Sequence, residues 1–202
     1  MIKNIVFDMG NVLILYDARR YVADYTDNAE DADLIMRHLF RSVEWIRMDR
    51  GAITQEQAVE SVCKRLPERL HKTVQLLFDN WHEDIPPFPE MEVLVEKLKT
   101  AGYHIYLLSN TSVKFHEYRR HIPALKHFDG EFISADWGML KPDPAIYTTF
   151  CQHFGLVPSQ CFFIDDVSAN IEGAMLAGMQ GAVFHGNATV LEEELRQAGV
   201  EF

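Results

Sequence analysis

Five short apolar runs punctuate the chain: Ile2–Phe7, Tyr103–Leu108, Glu131–Ile133, Cys161–Ile164 and Gly181–Phe184. Each has strand length, and most lead through a polar or glycine-bearing turn into helical periodicity. Strands alternating with helices predict a parallel sheet covered on both faces. The clearest helix is 89–101: Pro89 suits a first turn, Val93, Leu94 and Leu98 supply an apolar face, and Gly102 can end it. The stretch 17–85 breaks this rhythm. It is polar, helical in period and has no convincing strand. Asp17 can cap one helix, Thr54 with Gln57 fits a capping box, and Gly51 separates two helical segments. Ile85-Pro86-Pro87-Phe88-Pro89 then reads as a stiff connector. The expected organisation is a core of 1–16 and 86–202 with a helical cap, 17–85, inserted after the first strand. The alternative is one domain with extra helices packed on its flank.

At 202 residues the chain is long for one compact core and short for two domains, which suits a core with an insertion. Nineteen basic against thirty acidic side chains give a formal charge of −11. That balance argues against nucleic acid or an anionic membrane as the main partner, since both call for clustered Lys and Arg. No apolar stretch approaches the ~20 residues of a membrane span. Met1-Ile2-Lys3-Asn4 runs directly into the first strand without a signal-peptide pattern. Cys63, Cys151 and Cys161 are odd in number and widely spaced, which suits reduced thiols. A cytoplasmic protein is expected, either monomer or homodimer.

Candidate chemistry gathers where strands end. Asp8 closes the first run, at the carboxyl end of a buried parallel strand, where open α/β sheets bind ligands. It reads equally as a turn or cap residue. Ser109-Asn110-Thr111 closes the second and can cradle an anionic oxygen or simply cap a helix. Lys141 precedes a proline-started helix, within reach of the same crevice, although single lysines are usually solvated. Asp165-Asp166 closes the fourth. Adjacent carboxylates raise each other's pKa unless neutralised, by a divalent metal or by solvent in an acidic turn. Together the four are more specific than any one. Asp8, Asp165 and Asp166 carry −3 and Lys141 +1, leaving −2, which one Mg²⁺ would cancel; all-oxygen ligands favour that hard ion. With strand order 5-4-1-2-3, Asp8 and Asp166 face each other where the sheet order reverses.

In this order, Phe-Asp-Met-Gly-Asn-Val-Leu, Leu-Ser-Asn-Thr, Gly-Met-Leu-Lys-Pro-Asp and Asp-Asp-Val-Ser-Ala-Asn-Ile-Glu-Gly-Ala resemble the four motifs of the haloacid dehalogenase-like hydrolase superfamily. The resemblance covers the core, and the insertion is similar to that superfamily's helical-bundle cap. More narrowly, the segments resemble a bacterial branch that includes an α-D-glucose-1-phosphate phosphatase. It implies a Rossmann-like doubly wound α/β fold and a Mg²⁺-dependent phosphatase acting on a small phosphate ester, a sugar phosphate first among them. It also implies residue roles: Asp8 as nucleophile forming an aspartyl-phosphate, and Ser109 and Asn110 holding phosphoryl oxygens. Lys141 would balance charge. Asp8, Asp166 and the Gly10 carbonyl would bind Mg²⁺, and Asp165 would do so directly or through water.

One position departs from that pattern. Phosphatases of the superfamily usually carry a second aspartate, the general acid and base, two residues after the nucleophile. Here Gly10 stands there. General acid–base help is worth ~10²–10⁴-fold, so the leaving group is expected to take its proton from water, from the substrate's own phosphate, or from the cap. The missing acid also raises a rival, a metal-independent 2-haloacid dehalogenase using the same nucleophile. A second rival, from another class, is a catalytically silent binding or regulatory member, against which stands the retention of Asp8, Lys141 and both acids. The acidic pair Asp165-Asp166 favours the phosphatase. Within 44–51, Trp45 can stack on a sugar face and Arg47 can meet a hydroxyl or second anion, although a cap-core tryptophan with solvated arginines is the simpler expectation. Asp17 is expected to cap a helix in preference to contacting substrate. The nine histidines show no ligand spacing.

Overall fold

The computed structural model describes residues 1–202. Five strands, β1 (Asn4–Phe7), β2 (His104–Ser109), β3 (Gly130–Ile133), β4 (Cys161–Asp165) and β5 (Gln180–Val183), form one sheet. Its order is β3-β2-β1-β4-β5. Every pairing is parallel, with Phe7 of β1 opposite Leu107 on one side and Ile164 on the other. Read from the other edge, this is the expected 5-4-1-2-3 order. The strands fall within two residues of the apolar runs because strands buried on both faces read as continuous hydrophobic stretches. Alternate side chains serve opposite layers, as a period of two requires. Val6, Tyr106, Leu108 and Phe163 pack into a cluster of 13 buried residues on one face. Ile5, Phe7, Leu107 and Ile164 join a cluster of 41 on the other.

Between β1 and β2 the chain is helical: α1 (Ala18–Ala23), α2 (Ala29–Ile35), a π-helical turn at Met36–Phe40, α3 (Val43–Asp49), α4 (Gln55–Cys63), α5 (His71–Asn80) and α6 (Pro89–Thr100). The remaining helices are α7 (Phe115–Tyr118), α8 (Ser134–Trp137), α9 (Pro144–Phe154), α10 (Ser168–Leu176) and α11 (Ala188–Gln197). Asp17 caps α1 by accepting the Arg19 and Arg20 N–H groups. Thr54 and Gln57 form the reciprocal capping box of α4. Each satisfies N–H groups that the first helical turn leaves unpaired. In α6 the apolar stripe is Met91, Leu94, Val95 and Leu98, the i, i+3, i+4, i+7 set. Val93, expected on that face, is 51% exposed, because it lies a full 100° step from Leu94, off the stripe.

The helices α1–α5 are not sealed off from the sheet. Tyr21, Leu39, Val62 and Leu77 belong to the same apolar cluster as Ile5 and Leu107. The proline connector is stitched back as well: Leu15 N–H donates to the Pro86 carbonyl and Phe88 N–H to that of Leu13. Within the insert, Glu44 is buried and takes a two-pronged bond from Arg65 (2.8 and 2.7 Å) and a third from Ser61 at 2.8 Å. The Arg65 hydrogen bonds, outweighing burial, hold the Glu44 carboxyl down at about 2, against an ordinary 4.5. A depressed carboxyl stabilises the fold above its unfolded pKa and loses that contribution as pH falls through the folded one. Glu44→Gln is therefore expected to cost about 2 kcal/mol at pH 7. The difference from wild type should shrink between pH 4.5 and about 2, as read by urea denaturation at a series of pH values. A pH-independent gap would contradict the assignment.

Candidate active site

β1, β2 and β4 are neighbours, and their carboxyl ends open on one side of the sheet at the point where strand order reverses. Asp8 follows β1 and is pinned there by its own N–H, which donates to the Ile164 carbonyl at 2.8 Å. Ser109 ends β2, and Asp165 ends β4. Lys141 arrives from the segment between α8 and α9. Its ammonium is buried and spends its three protons on Asp8 Oδ1 at 2.7 Å, Asp165 Oδ2 at 2.6 Å and the Leu108 carbonyl at 3.0 Å. Gly173 makes this seat possible: a β-carbon there would lie 2.3 Å from the Pro142 carbonyl oxygen, so only glycine lets α10 approach the Lys141–Pro142 backbone.

Asn110 fixes the same lysine from the other side. Its Nδ2 donates to the Lys141 carbonyl and its Oδ1 accepts from the Lys141 N–H, both at 2.9 Å. That exchange uses one of the two amide protons, and the other remains for a ligand. Asp165 is fully engaged. It accepts from Lys141, from Val167 N–H at 2.8 Å, and from Asn170 Nδ2 at 3.0 Å on each oxygen. Asp166 accepts a single bond, from Asn11 Nδ2 at 3.1 Å. Asn11 in turn accepts the Tyr16 N–H at 3.1 Å from a left-handed backbone, φ 54°. Asparagine tolerates that conformation better than most residues.

One oxygen from each of Asp8, Asp165 and Asp166 lies within 4.8 Å of the others. Three carboxylates facing one ammonium leave a formal −2 in a buried place. The protonation equilibria respond accordingly. Burial pushes Asp8 up to about 6, Lys141 opposing and Asp165 adding to the push. Burial also raises Asp166 against the pull of the Asn11 amide. Burial alone would lower the Lys141 pKa, but Asp8 and Asp165 outweigh it and hold the pKa above the ordinary value. An all-oxygen donor set with uncompensated negative charge fits a hard divalent cation.

These residues floor a cleft of ≈ 330 Å³ whose walls include Gly10, Asn11, Ser109, Asn110 and Thr111 and whose roof is Phe40, Trp45, Asp49 and Trp81 from the insert. The structure thus brings together every sequence-predicted site residue: Asp8, Gly10, Ser109, Asn110, Lys141 and Asp166 line the cleft, and Asp165 lies directly behind it. Trp45 is half-buried against Phe40, Phe78 and Trp81 and also lines the cleft, so it serves packing and roof at once. Arg47 is exposed on the other side of α3. Three participants gave no sequence signal as site residues, Asp49, Tyr16 and Ser134, and Asn170, although it lies in the fourth motif segment, carries no predicted role. A second cavity, ≈ 450 Å³, lies beyond Trp45 and Trp81 and holds no acidic cluster; the chemistry belongs to the smaller one.

The chain belongs to the haloacid dehalogenase-like hydrolase family, whose model matches residues 2–178, and it is a hydrolytic enzyme. Among relatives, it is 28% identical to a D-ribitol-5-phosphate phosphatase of Bacteroides thetaiotaomicron, over 85% of this chain and 86% of that protein. It is 24% identical to (S)-2-haloacid dehalogenase 2 of a Pseudomonas species, over 89% and 82%. The fold matches a wild-type HAD family enzyme of Bacteroides thetaiotaomicron crystallised with magnesium and inorganic phosphate. There the TM-score is 0.71 at 21% identity, covering 93% of this chain and 96% of that one. No helix is long and apolar enough to cross a membrane.

Proposed function

We propose that this enzyme is a Mg²⁺-dependent phosphatase of small phosphate esters that works through an aspartyl-phosphate on Asp8. The observation that carries the reading is the trio of buried Asp8, buried Asp165 and half-buried Asp166, with a single ammonium, Lys141, between the first two. Phosphoryl transfer needs mainly positioning and charge neutralisation, and this cleft offers both. Asp8 and Asp166 carboxylates with the Gly10 carbonyl would hold the ion, and Asp165, with its oxygens committed to Lys141, Asn170 and Val167, would reach it through water. When bound, Mg²⁺ supplies the positive charge that lets a phosphate dianion enter a site of formal charge −2. Asp8 is the nucleophile. Lys141 orients it and offsets charge on the incoming phosphoryl group, while the Ser109 hydroxyl and the free Asn110 amide proton hold phosphoryl oxygens. The helices 17–85 act as a cap that closes over the cleft and excludes water. Trp45 and Trp81 offer flat apolar faces in the roof, which suit a sugar or similar ring as the leaving group. The relative that acts on a sugar-alcohol phosphate supports this substrate class.

The dehalogenase relative keeps the rival open to test. Purified enzyme is expected to release phosphate from p-nitrophenyl phosphate, to lose that activity in EDTA and to regain it with excess Mg²⁺. Halide release from a 2-haloacid that persists in EDTA would overturn the reading. Absence of both activities would point to the silent member.

A further inference from the structure

Gly10 leaves this site without the usual proton donor, and space does not explain the absence. A β-carbon at Gly10 would sit 3.6 Å from Tyr16 Cβ, an ordinary contact. The other titratable groups of the cleft are Asp8, Tyr16, Asp49, Lys141 and Asp166. Asp8 and Lys141 are locked to each other, and Asp166 belongs to the acidic trio. Tyr16 is a phenol that burial, with Asp49 nearby, raises well above its usual range. Asp49 is left, and its setting is unusual. It is the last residue of α3 and lines the cleft roof opposite the trio. No ion pair engages its carboxyl, and the nearby Ser112 backbone only partly offsets burial. Burial raises its pKa well above the carboxylate range. A helix C-terminus also disfavours negative charge, so both influences favour the neutral acid.

Its position is fixed from below. The fully buried Ser134 hydroxyl donates to the Asp49 carbonyl and accepts the Thr111 N–H at 2.9 Å, tying the end of α3 to the loop after β2. Gly51 completes the contact: at φ 72°, with the Ala135 carbonyl 2.2 Å from where a β-carbon would stand, only glycine lets the turn after α3 lie on α8. An uncompensated carboxyl at a helix end costs stability, and nothing in the packing of α3 requires it.

We propose that Asp49 is the general acid and base of this enzyme, supplied by the helical insert in place of the residue two positions after the nucleophile. The proposal rests on the phosphatase reading above. As an Asp8 oxygen bonds to phosphorus and the phosphorus–ester oxygen bond breaks, the Asp49 carboxyl gives its proton to the departing oxygen, releasing an alcohol. The Asp49 carboxylate then takes a proton from water as the water oxygen bonds to phosphorus and the Asp8–phosphorus bond breaks. Inorganic phosphate leaves, and Asp8 carboxylate and Asp49 carboxyl are restored.

The test is leaving-group dependence, since a nitrophenolate departs without a proton and an alkoxide does not. In Asp49→Asn, kcat/KM, which reports only formation of the aspartyl-phosphate, is expected to fall ~10²–10³-fold for an alkyl phosphate and far less for p-nitrophenyl phosphate, whereas kcat falls for both because the common hydrolysis step loses its base. Wild-type kcat/KM across a series of aryl phosphates should vary little with leaving-group pKa. That measurement stands even if the variant fails to fold, and a steep wild-type dependence would overturn the proposal. So would an equal loss of kcat/KM on both esters, or no loss on either. Wild-type enzyme that hydrolyses neither ester would instead refute the phosphatase reading itself, and this proposal with it.

Discussion

Asp8→Asn is expected to abolish the proposed phosphate-ester turnover, with kcat falling by ~10⁴-fold or more. The amide is nearly isosteric, so the loss tracks chemistry: an amide oxygen is a far weaker nucleophile, and no other group in the cleft can take its place. Asp8 sits 2.7 Å from the one buried ammonium and beside Asp166, whereas Asp165 has all its oxygens engaged. The fold should survive the change, because Asp165 still neutralises Lys141 at 2.6 Å and one buried charge is removed. The measurements are steady-state kinetics with p-nitrophenyl phosphate beside thermal unfolding of the same preparation. A second check is covalent: wild-type enzyme quenched during turnover should carry one acid-labile phosphoryl group, and Asp8→Asn none. Near-normal turnover in the variant would contradict the nucleophile assignment.

What the sequence carried, and what it did not, follows from the range of each interaction. The strands were legible because a strand buried on both faces has no polar positions to obscure it, and the four strand-end segments were legible because chain order fixes which ends share an edge. The capping of α1 by Asp17 and of α4 by Thr54 and Gln57 is local, decided within four residues. Asp49 was not legible. Its neighbours Trp45 and Arg47 drew attention to the right segment, but which face of α3 looks into the cleft depends on its docking to α8 through Ser134 and Gly51, contacts 85 residues apart in the chain. The double bond between the Asn110 side chain and the Lys141 backbone is likewise a long-range fact. Pattern alone suggested a phosphate cradle, and geometry adds a clamp on the lysine. The proline connector suggested a clean boundary, yet the apolar cluster runs through it, because helices too short and polar to bury their own faces borrow the sheet's. Cys151 and Cys161, remote in sequence, come together in the smaller apolar cluster as free thiols.

Lys141→Met should show the cost of that single ammonium in both activity and stability. Its Nζ serves Asp8, Asp165 and the Leu108 carbonyl at once while almost wholly buried. Methionine fills similar volume but leaves two facing carboxylates with nothing between them. Removing one partner of a buried ion pair typically costs 3–5 kcal/mol, and about that loss is expected here in metal-free protein by urea denaturation. Turnover should fall ~10²–10³-fold as transition-state charge loses a fixed counter-ion. The double variant Asp8→Asn with Lys141→Met separates the two causes of instability. If the penalty is uncompensated charge, deleting the Asp8 charge restores part of the stability that Lys141→Met removed, a coupling that neighbouring residues show and independent ones do not. If the penalty is lost packing against the Phe163 ring, whose centroid lies 5.1 Å from Nζ, the double variant recovers nothing. Recovery is the expected result, since burial already raises Asp8 against the pull of Lys141, and removing the lysine leaves that charge without its counter-ion.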